Sequence, residues 1–353
     1  MSEYTQRIAS LIKAHPLHID TTVQLAGRVP TSVSSEFLTN KAQGDWAENL
    51  VLSSLNESKE YAAFPYGRSE AIAAGDPGFA YFYKQYLAEL NTIGKRPDIL
   101  VFRKADVPRG TTLDFEDENL IRKAVAAIEV RSSSFLCTEY ASYMEQRNLE
   151  IENECRLLRS EILSEPYGSL LHSKAPALHT LLQSYSAQSF KDLDFRLSHW
   201  KKSPALLHLS SLLSNLKQNI RSLRKRDFLS ITPKVEDIAL VNRWIQQFQV
   251  PHFYLQVFFD QGYIIPFEKI LEISSNPSLE DTLFSVEKDV KNQEKTTIKI
   301  NIEAAQKILQ KISLHEHYSI QKKLDRGRLL FYVKFSGGDC IFNFNILHNL
   351  LEQ

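Results

Sequence analysis

Two short apolar runs constrain the fold more than any other feature of this sequence. The first, residues 99–102, follows Arg96-Pro97-Asp98, and the second, residues 124–130, contains Glu129. Apolar runs of this length, bounded by polar residues, predict buried strands. A charged carboxylate in such a strand is costly unless it is paired or binds a cation. The pattern therefore predicts a sheet with two acidic residues, Asp98 and Glu129, whose role is functional and not only structural.

The two predicted strands offer a set of side chains suited to phosphodiester hydrolysis. Because side chains alternate along a strand, Glu129 and Arg131 point to one face and Val130 to the other. If the strands are neighbours, Asp98 shares the cleft with them. Two carboxylates and a phosphate oxygen suit Mg²⁺, which polarises phosphate and activates water, and Arg131 would stabilise the transition-state charge. We therefore predict a Mg²⁺ site with Asp98 and Glu129 as metal ligands.

A third acid, Glu48, lies in a helical pattern that continues through Leu50 and Leu55, with Asp45 as its predicted N-cap. The opposite side of this helix is apolar, so Glu48 is predicted to reach the same cleft and hold metal or water. The simpler alternative is that Glu129 and Arg131 form an ordinary ion pair at a sheet edge.

The order of elements predicts an α/β fold with a mixed central sheet flanked by helices and a helical subdomain. Residues 1–136 would form the N-terminal part of the core with the catalytic strands, 137–227 the helical subdomain, and 228–353 the rest of the core. Residues 61–78 read as irregular and 304–312 as a helix. Residues 329–344 read as a hairpin that turns at Gly337-Gly338.

Composition excludes several classes of protein. The 42 basic and 42 acidic side chains give no net charge, which argues against a protein that coats DNA indiscriminately but allows a DNA enzyme with local basic patches. Three cysteines without metal-ligand spacing indicate a reduced, intracellular setting. No signal pattern and no apolar run of ~20 residues stand out, so we expect a cytoplasmic protein with no membrane partner.

With these residues in view, the chain resembles the PD-(D/E)xK nuclease superfamily, and within it the AccI-like type II restriction endonucleases. The resemblance rests on TNKAQGDWAENL around Glu48, RPDILVF around Asp98 and AIEVRSSSFL around Glu129. It continues through RKRDFLSITPKVEDIALVNRWI and VPHFYLQVFFDQGYIIPFEKIL, and covers about residues 30–275.

The resemblance implies a restriction-endonuclease-like fold and a homodimer that cuts a short, roughly palindromic sequence of double-stranded DNA. It also implies Mg²⁺, 5′-phosphate and 3′-hydroxyl ends, and a cognate DNA methyltransferase. Asp98 takes the place of the family aspartate and Glu129 that of the second acid. Arg131 stands where the family has lysine, and arginine does not act as a base. Lys95 and Lys104 lie close in sequence, but the sequence does not place either in the cleft.

Several basic residues are candidates for DNA contacts. The densest run is Arg221, Arg224, Lys225 and Arg226, which on a helix would neutralise phosphates or simply form a solvated face. Arg68 lies in the Gly-rich stretch before the first acidic strand, and such loops often carry recognition. A weaker case of the same kind is the group Lys322, Lys323, Arg326 and Arg328.

Two other functions remain open at this point. One is a repair or structure-specific nuclease of the same fold that is indifferent to base sequence. The other is a non-catalytic DNA-binding protein whose acids are structural.

Overall fold

A computed structural model describes residues 2–67, 72–107, 114, 116–289, 295–313, 315–324 and 327–352. The chain divides into two compact units. The core unit comprises Met1–Cys137 and Leu229–Gln353, and the helical unit comprises Thr138–Phe228.

The described helices are α1 (Glu3–Ala14), α2 (Ser35–Asn56), α3 (Phe79–Thr92), α4 (Glu118–Ile121), α5 (Cys137–Leu163), α6 (Tyr167–Lys174), α7 (Pro176–Ser184), α8 (Pro204–Leu223), α9 (Val235–Phe248), α10 (Phe267–Ser274) and α11 (Phe344–Leu351). The described strands are β1 (Tyr61–Pro65), β2 (Ile99–Arg103), β3 (Ala126–Ser132), β4 (Ser230–Ile231), β5 (His252–Val257), β6 (Gly262–Pro266), β7 (Phe284–Asp289), β8 (Lys295–Asn301), β9 (Gln306–Ile312), β10 (Glu316–Lys323), β11 (Leu329–Ser336) and β12 (Cys340–Phe342).

The main sheet of the core unit is mixed and has the order β1-β2-β3-β5-β6-β9-β12. Strands β3 and β5 are parallel, and the other neighbours are antiparallel. Two smaller sheets accompany it, one with the order β4-β8-β7 and one formed by β10 and β11.

Helices cover both faces of the main sheet. On one face, Leu100 and Tyr254 pack with Trp244 of α9 and with residues of α1 and α10. On the other face, Ile99 and Ile128 pack with α2 and α11. Apolar side chains therefore alternate between two cores along β2 and β3, as expected for strands buried on both sides. The predicted α/β fold, with a mixed sheet flanked by helices and a helical subdomain, is confirmed.

The helical unit has a core of its own. Helices α5 to α8 contribute buried side chains that include Cys155, Ile162, Leu171, Leu182 and Leu213. In the ranges given above, no helix combines the length and apolar composition needed to cross a bilayer.

The helix predicted for residues 304–312 is wrong, because most of this segment forms β9. Its buried residues are Ile308, Leu309 and Ile312. The pairing of β9 shifts register against β6 and again against β12. Adjacent Ile308 and Leu309 can therefore both be buried, and their spacing with Ile312 imitates a helical repeat.

The hairpin predicted to turn at Gly337-Gly338 is also wrong. Strand β11 pairs with β10, which precedes it, whereas β12 pairs with β9 of the main sheet. Gly337 and Gly338 do have positive φ angles, of 66° and 88°. The turn there leads the chain from one sheet to another, and Trp46 Nε1 donates to the carbonyl of Gly337 at 2.8 Å.

Two local predictions also need correction. Helix α2 begins at Ser35 with Ser34 as its N-cap, so Asp45 lies in the middle of the helix. Residues 61–65, read as irregular, form edge strand β1 opposite β2. A proline at the end of an edge strand costs no ladder hydrogen bond, which explains how Pro65 fits there.

Candidate active site

The predicted catalytic residues line one cleft in the core unit. Glu48, Asp98, Glu129 and Arg131 all contribute to a cavity of about 710 Å³, together with Lys95. Strand β2 begins directly after Asp98, strand β3 carries Glu129 and Arg131, and helix α2 carries Glu48. Local sequence sets the positions of Asp98, Glu129 and Arg131, because alternation along a strand determines the face on which each side chain lies.

Asp98 and Glu129 lie beside each other across two neighbouring strands. The pairing of Ile99 with Ile128 places them at adjacent positions, and alternation puts both on the face that carries Leu100. The Asp98 amide donates to the carbonyl of Ile128 at 3.0 Å, and Asp98 Oδ2 accepts from the amide of Val130 at 2.7 Å. The two carboxyl groups therefore share one side of the sheet, as the sequence predicted.

Glu129 is buried, with 2% of its side chain exposed, in a network of alternating charges. Its Oε1 contacts Lys95 Nζ at 2.5 Å and Arg131 Nη2 at 2.9 Å. Asp237 Oδ2 lies 3.0 Å from the same lysine nitrogen and 3.4 Å from the arginine. Burial alone would raise the pKa of Glu129, but the charges of Lys95 and Arg131 hold it below its ordinary value. Glu129 is therefore ionised.

Lys95 is the residue that sequence reasoning left unplaced. Gly94 has a φ of +86°, and a Cβ there would lie 2.2 Å from the carbonyl oxygen of Leu240 in α9. This close approach lets the Lys95 amide donate to that carbonyl at 3.0 Å, which seats the side chain beside Asp237. Lys104 instead donates to the carbonyl of Ser58 at 2.6 Å.

Glu48 brings a third carboxyl group to the cleft. Burial, Asp45 and Glu129 raise the pKa of Glu48 from 4.5 to about 7. Burial, Glu129 and Glu48 likewise raise the pKa of Asp98 well above its ordinary value. Mutual repulsion of carboxylates in a poorly solvated cleft favours their protonated forms. A cation placed among them would reverse that preference.

The cleft fits a divalent metal of the magnesium kind. Among the residues with described coordinates, no three His, Cys, Asp or Glu side chains are arranged to hold a metal by themselves. However, Glu129 Oε2 is buried and has no described hydrogen-bond partner. Two carboxylates with an oxygen to spare suit Mg²⁺, which keeps several waters and takes phosphate oxygens. The donor set therefore fits a metal that takes part of its coordination shell from water or from another ligand.

The ion pair that the sequence offered as the simpler explanation is present, but it is not an ordinary surface pair. Arg131 is partly buried, and Glu129 is almost fully buried. Glu129 also contacts Lys95, and Arg131 also contacts Asp237. A buried network of two cations and two carboxylates costs desolvation energy that a surface pair does not. Perturbed charges gathered in a cleft are typical of functional sites.

Those predicted DNA-contact residues that the structure describes are not among the residues that line the cleft. Arg68 and Arg326 are outside the described residues. Arg221, Arg224, Lys225 and Arg226 belong to the helical unit, at and just after the end of α8. Arg224 donates to the carbonyls of Lys191 and Leu193, so it ties down the chain inside that unit. Arg221 and Lys225 are exposed.

Comparison with known proteins identifies the family. Neither a curated protein nor a solved structure matches the chain. The model of one family, described as AccI restriction endonuclease, matches residues 1–353. This match extends over the whole chain and over every element that lines the cleft. The chain therefore belongs to the AccI restriction endonuclease family and is a type II site-specific deoxyribonuclease, a hydrolase.

Proposed function

We propose that the protein cuts double-stranded DNA in a Mg²⁺-dependent reaction that leaves 5′-phosphate ends, with the cleft around Asp98 and Glu129 as its active site. The observation that carries the proposal is the convergence of three carboxyl groups beside two partly buried cations, in a chain of a restriction endonuclease family.

Asp98 and Glu129 would hold the metal, and Glu48 would hold a third ligand position or a water. Bound Mg²⁺ would polarise the scissile phosphate and lower the pKa of the attacking water. Val130 fixes Asp98 through its amide. The two cations occupy Glu129 Oε1, so Oε2 is the oxygen left for the metal.

Arg131 and Lys95 would stabilise negative charge at the phosphate. Burial lowers the pKa of each, but the carboxylates of Glu129 and Asp237 outweigh it and hold both above their ordinary values. Both side chains therefore stay protonated, so neither serves as the base. Positive groups fixed in a poorly solvated cleft are effective at stabilising a phosphoryl transition state.

A homodimer would let two identical sites address the two strands of a palindromic sequence. Such an enzyme needs a DNA methyltransferase that protects the host's own sites, and both would act on DNA in the cytoplasm. Size-exclusion chromatography with light scattering measures the oligomeric state directly.

The test of the proposal is digestion of a defined plasmid with and without Mg²⁺, with EDTA as a control. We expect discrete bands, 5′-phosphate ends that ligase rejoins, and near-total loss of cleavage in Asp98→Asn. Asp20→Asn is the matched control, since Asp20 is exposed and its carboxylate accepts hydrogen bonds from the neighbouring Thr22. A smear would support the sequence-indifferent nuclease instead. Cleavage that survives Asp98→Asn in a folded protein would refute the site.

A further inference from the structure

Strands β10 and β11 form a two-stranded ribbon outside the main sheet. One face of it packs inward, where Leu330 is 4% exposed and lies in a cluster with Leu38. The other face carries the cross-strand pairs Ser319–Val333, Gln321–Phe331 and Lys323–Leu329. Phe331 is 59% exposed, and Gln321 and Lys323 are exposed as well. We call this second surface the outer face of the ribbon.

The ribbon is basic although the chain as a whole is neutral. Of its described residues between 315 and 336, four are Lys or Arg and one, Glu316, is acidic. Lys322 is paired with Asp76 at 2.6 Å. Lys323 and Arg328 are exposed, and no described carboxylate forms an ion pair with either of them. Positive charge without internal partners is available for phosphate.

The ribbon stands directly behind one wall of the cleft. Thr39 Oγ1 in α2 accepts from the Val333 amide at 3.2 Å, and Trp46 donates to Gly337 just after the ribbon. Lys41, Gly44 and Glu48, which line the cleft, lie on the opposite side of the same helix. An α-helix with its side chains is about 10 Å thick. The major groove of DNA is about 12 Å wide, which is comparable with that thickness.

We propose that the outer face of the β10–β11 ribbon enters the major groove of the DNA held in the cleft. The major groove admits a two-stranded β-ribbon, glutamine pairs with adenine edges, and phenylalanine contacts the thymine methyl group. Gln321 and Phe331 therefore form the base-reading pair, and Lys323 and Arg328 contact the phosphates that border the groove. The inference rests on the proposed function, because the DNA is the substrate of the same cleft.

The test begins with the wild-type enzyme, whose cleavage sites are mapped by sequencing the product ends. Binding is then measured by fluorescence anisotropy in an Asp98→Asn background with Mg²⁺, on the mapped duplex and on duplexes with one base pair changed. We expect Gln321→Ala to lose about 5-fold to 150-fold in discrimination at one position. Lys323→Ala with Arg328→Ala should reduce the slope of log affinity against log salt by roughly 0.9 for each phosphate that is no longer neutralised.

Lys334→Ala is the matched control, because Lys334 is exposed on the same ribbon but pairs with Tyr318, away from the outer face. We expect it to change binding by no more than about 2-fold, as a charge that makes no phosphate contact. Phe331→Ala serves as a second base-reading variant, and unchanged melting temperatures show that each variant is folded.

The outcomes separate the two proposals. Absence of wild-type cleavage would refute the proposed function itself. Discrete wild-type cleavage, with ribbon variants that bind and discriminate like Lys334→Ala, would refute the ribbon inference alone. A change in oligomeric state without a change in intrinsic DNA discrimination would assign the outer face to a second copy of the chain, and would also overturn the inference.

Discussion

Replacing Glu48 with glutamine should stabilise the metal-free protein above neutral pH while weakening its function. The pKa of Glu48 rises from 4.5 to about 7 on folding. The folded state therefore binds this proton more tightly than the unfolded state does. Protonated Glu48 therefore contributes stability that is fully present below pH 4.5 and is lost as the pH rises through about 7. The increase in the pKa of Glu48 corresponds to at most about 3 kcal/mol in the free energy of unfolding.

Because glutamine cannot ionise, Glu48→Gln does not lose this stability as the pH rises. We expect its free energy of unfolding in EDTA to exceed that of the wild type by up to about 3 kcal/mol at pH 8.5. Near pH 5 the difference should fall below about 1 kcal/mol, because folded Glu48 is then protonated and pH 5 lies only slightly above the pKa of 4.5 in the unfolded chain. Urea unfolding followed by circular dichroism at both pH values measures the difference. Mg²⁺ should stabilise the wild type more than the variant, since only the wild type offers a third carboxylate.

Two results would refute this reasoning. The first is a stability difference between Glu48→Gln and wild type that is the same at pH 5 and pH 8.5, since the effect would then not come from ionisation. The second is a variant that is less stable at pH 8.5. Glu36→Gln provides the control, because Glu36 lies in the first turn of the same helix and is exposed.

Four further predictions test the charge network and the backbone contact that supports it. Glu129→Ala should cost about 3–5 kcal/mol in urea unfolding, because it strips Lys95 and Arg131 of a shared buried partner; a loss below about 1 kcal/mol would contradict this. Lys95→Met should lower kcat about 100-fold or more, as for other fixed charges at a transition state, whereas Arg131→Lys should keep most activity because it retains the charge. Gly94→Ala should lower the melting temperature sharply, because its Cβ would lie 2.2 Å from the Leu240 oxygen; an unchanged temperature would show that the backbone yields there.

Local sequence was sufficient to predict where the acidic residues of the cleft lie. Asp98 enters an apolar run, Glu129 interrupts another, and residues two apart on a strand share a face, so the cleft follows once β2 and β3 are neighbours. Glu48 was found because its helix has one apolar side. The helical unit followed from helical periodicity over a long stretch without strand patterns.

Local sequence was misleading where pairing between distant segments decides the structure. Residues 306–312 have an apolar spacing that suits a helix, yet the edge of β6 supplies the partner that makes them a strand. Strand β11 could have paired with β12 across the Gly337-Gly338 turn, but β12 joins β9.

By itself, the sequence predicted that Asp98 and Glu129 lie next to or within buried strands and line one cleft, because burial and strand alternation are local properties. Only the tertiary structure decided that Lys95 and Asp237 complete the charge network, since they are 142 residues apart and meet through the packing of α9 against Gly94. It also decided that the ribbon stands behind α2. Such contacts depend on which surfaces fit together, and short-range periodicity contains no record of that.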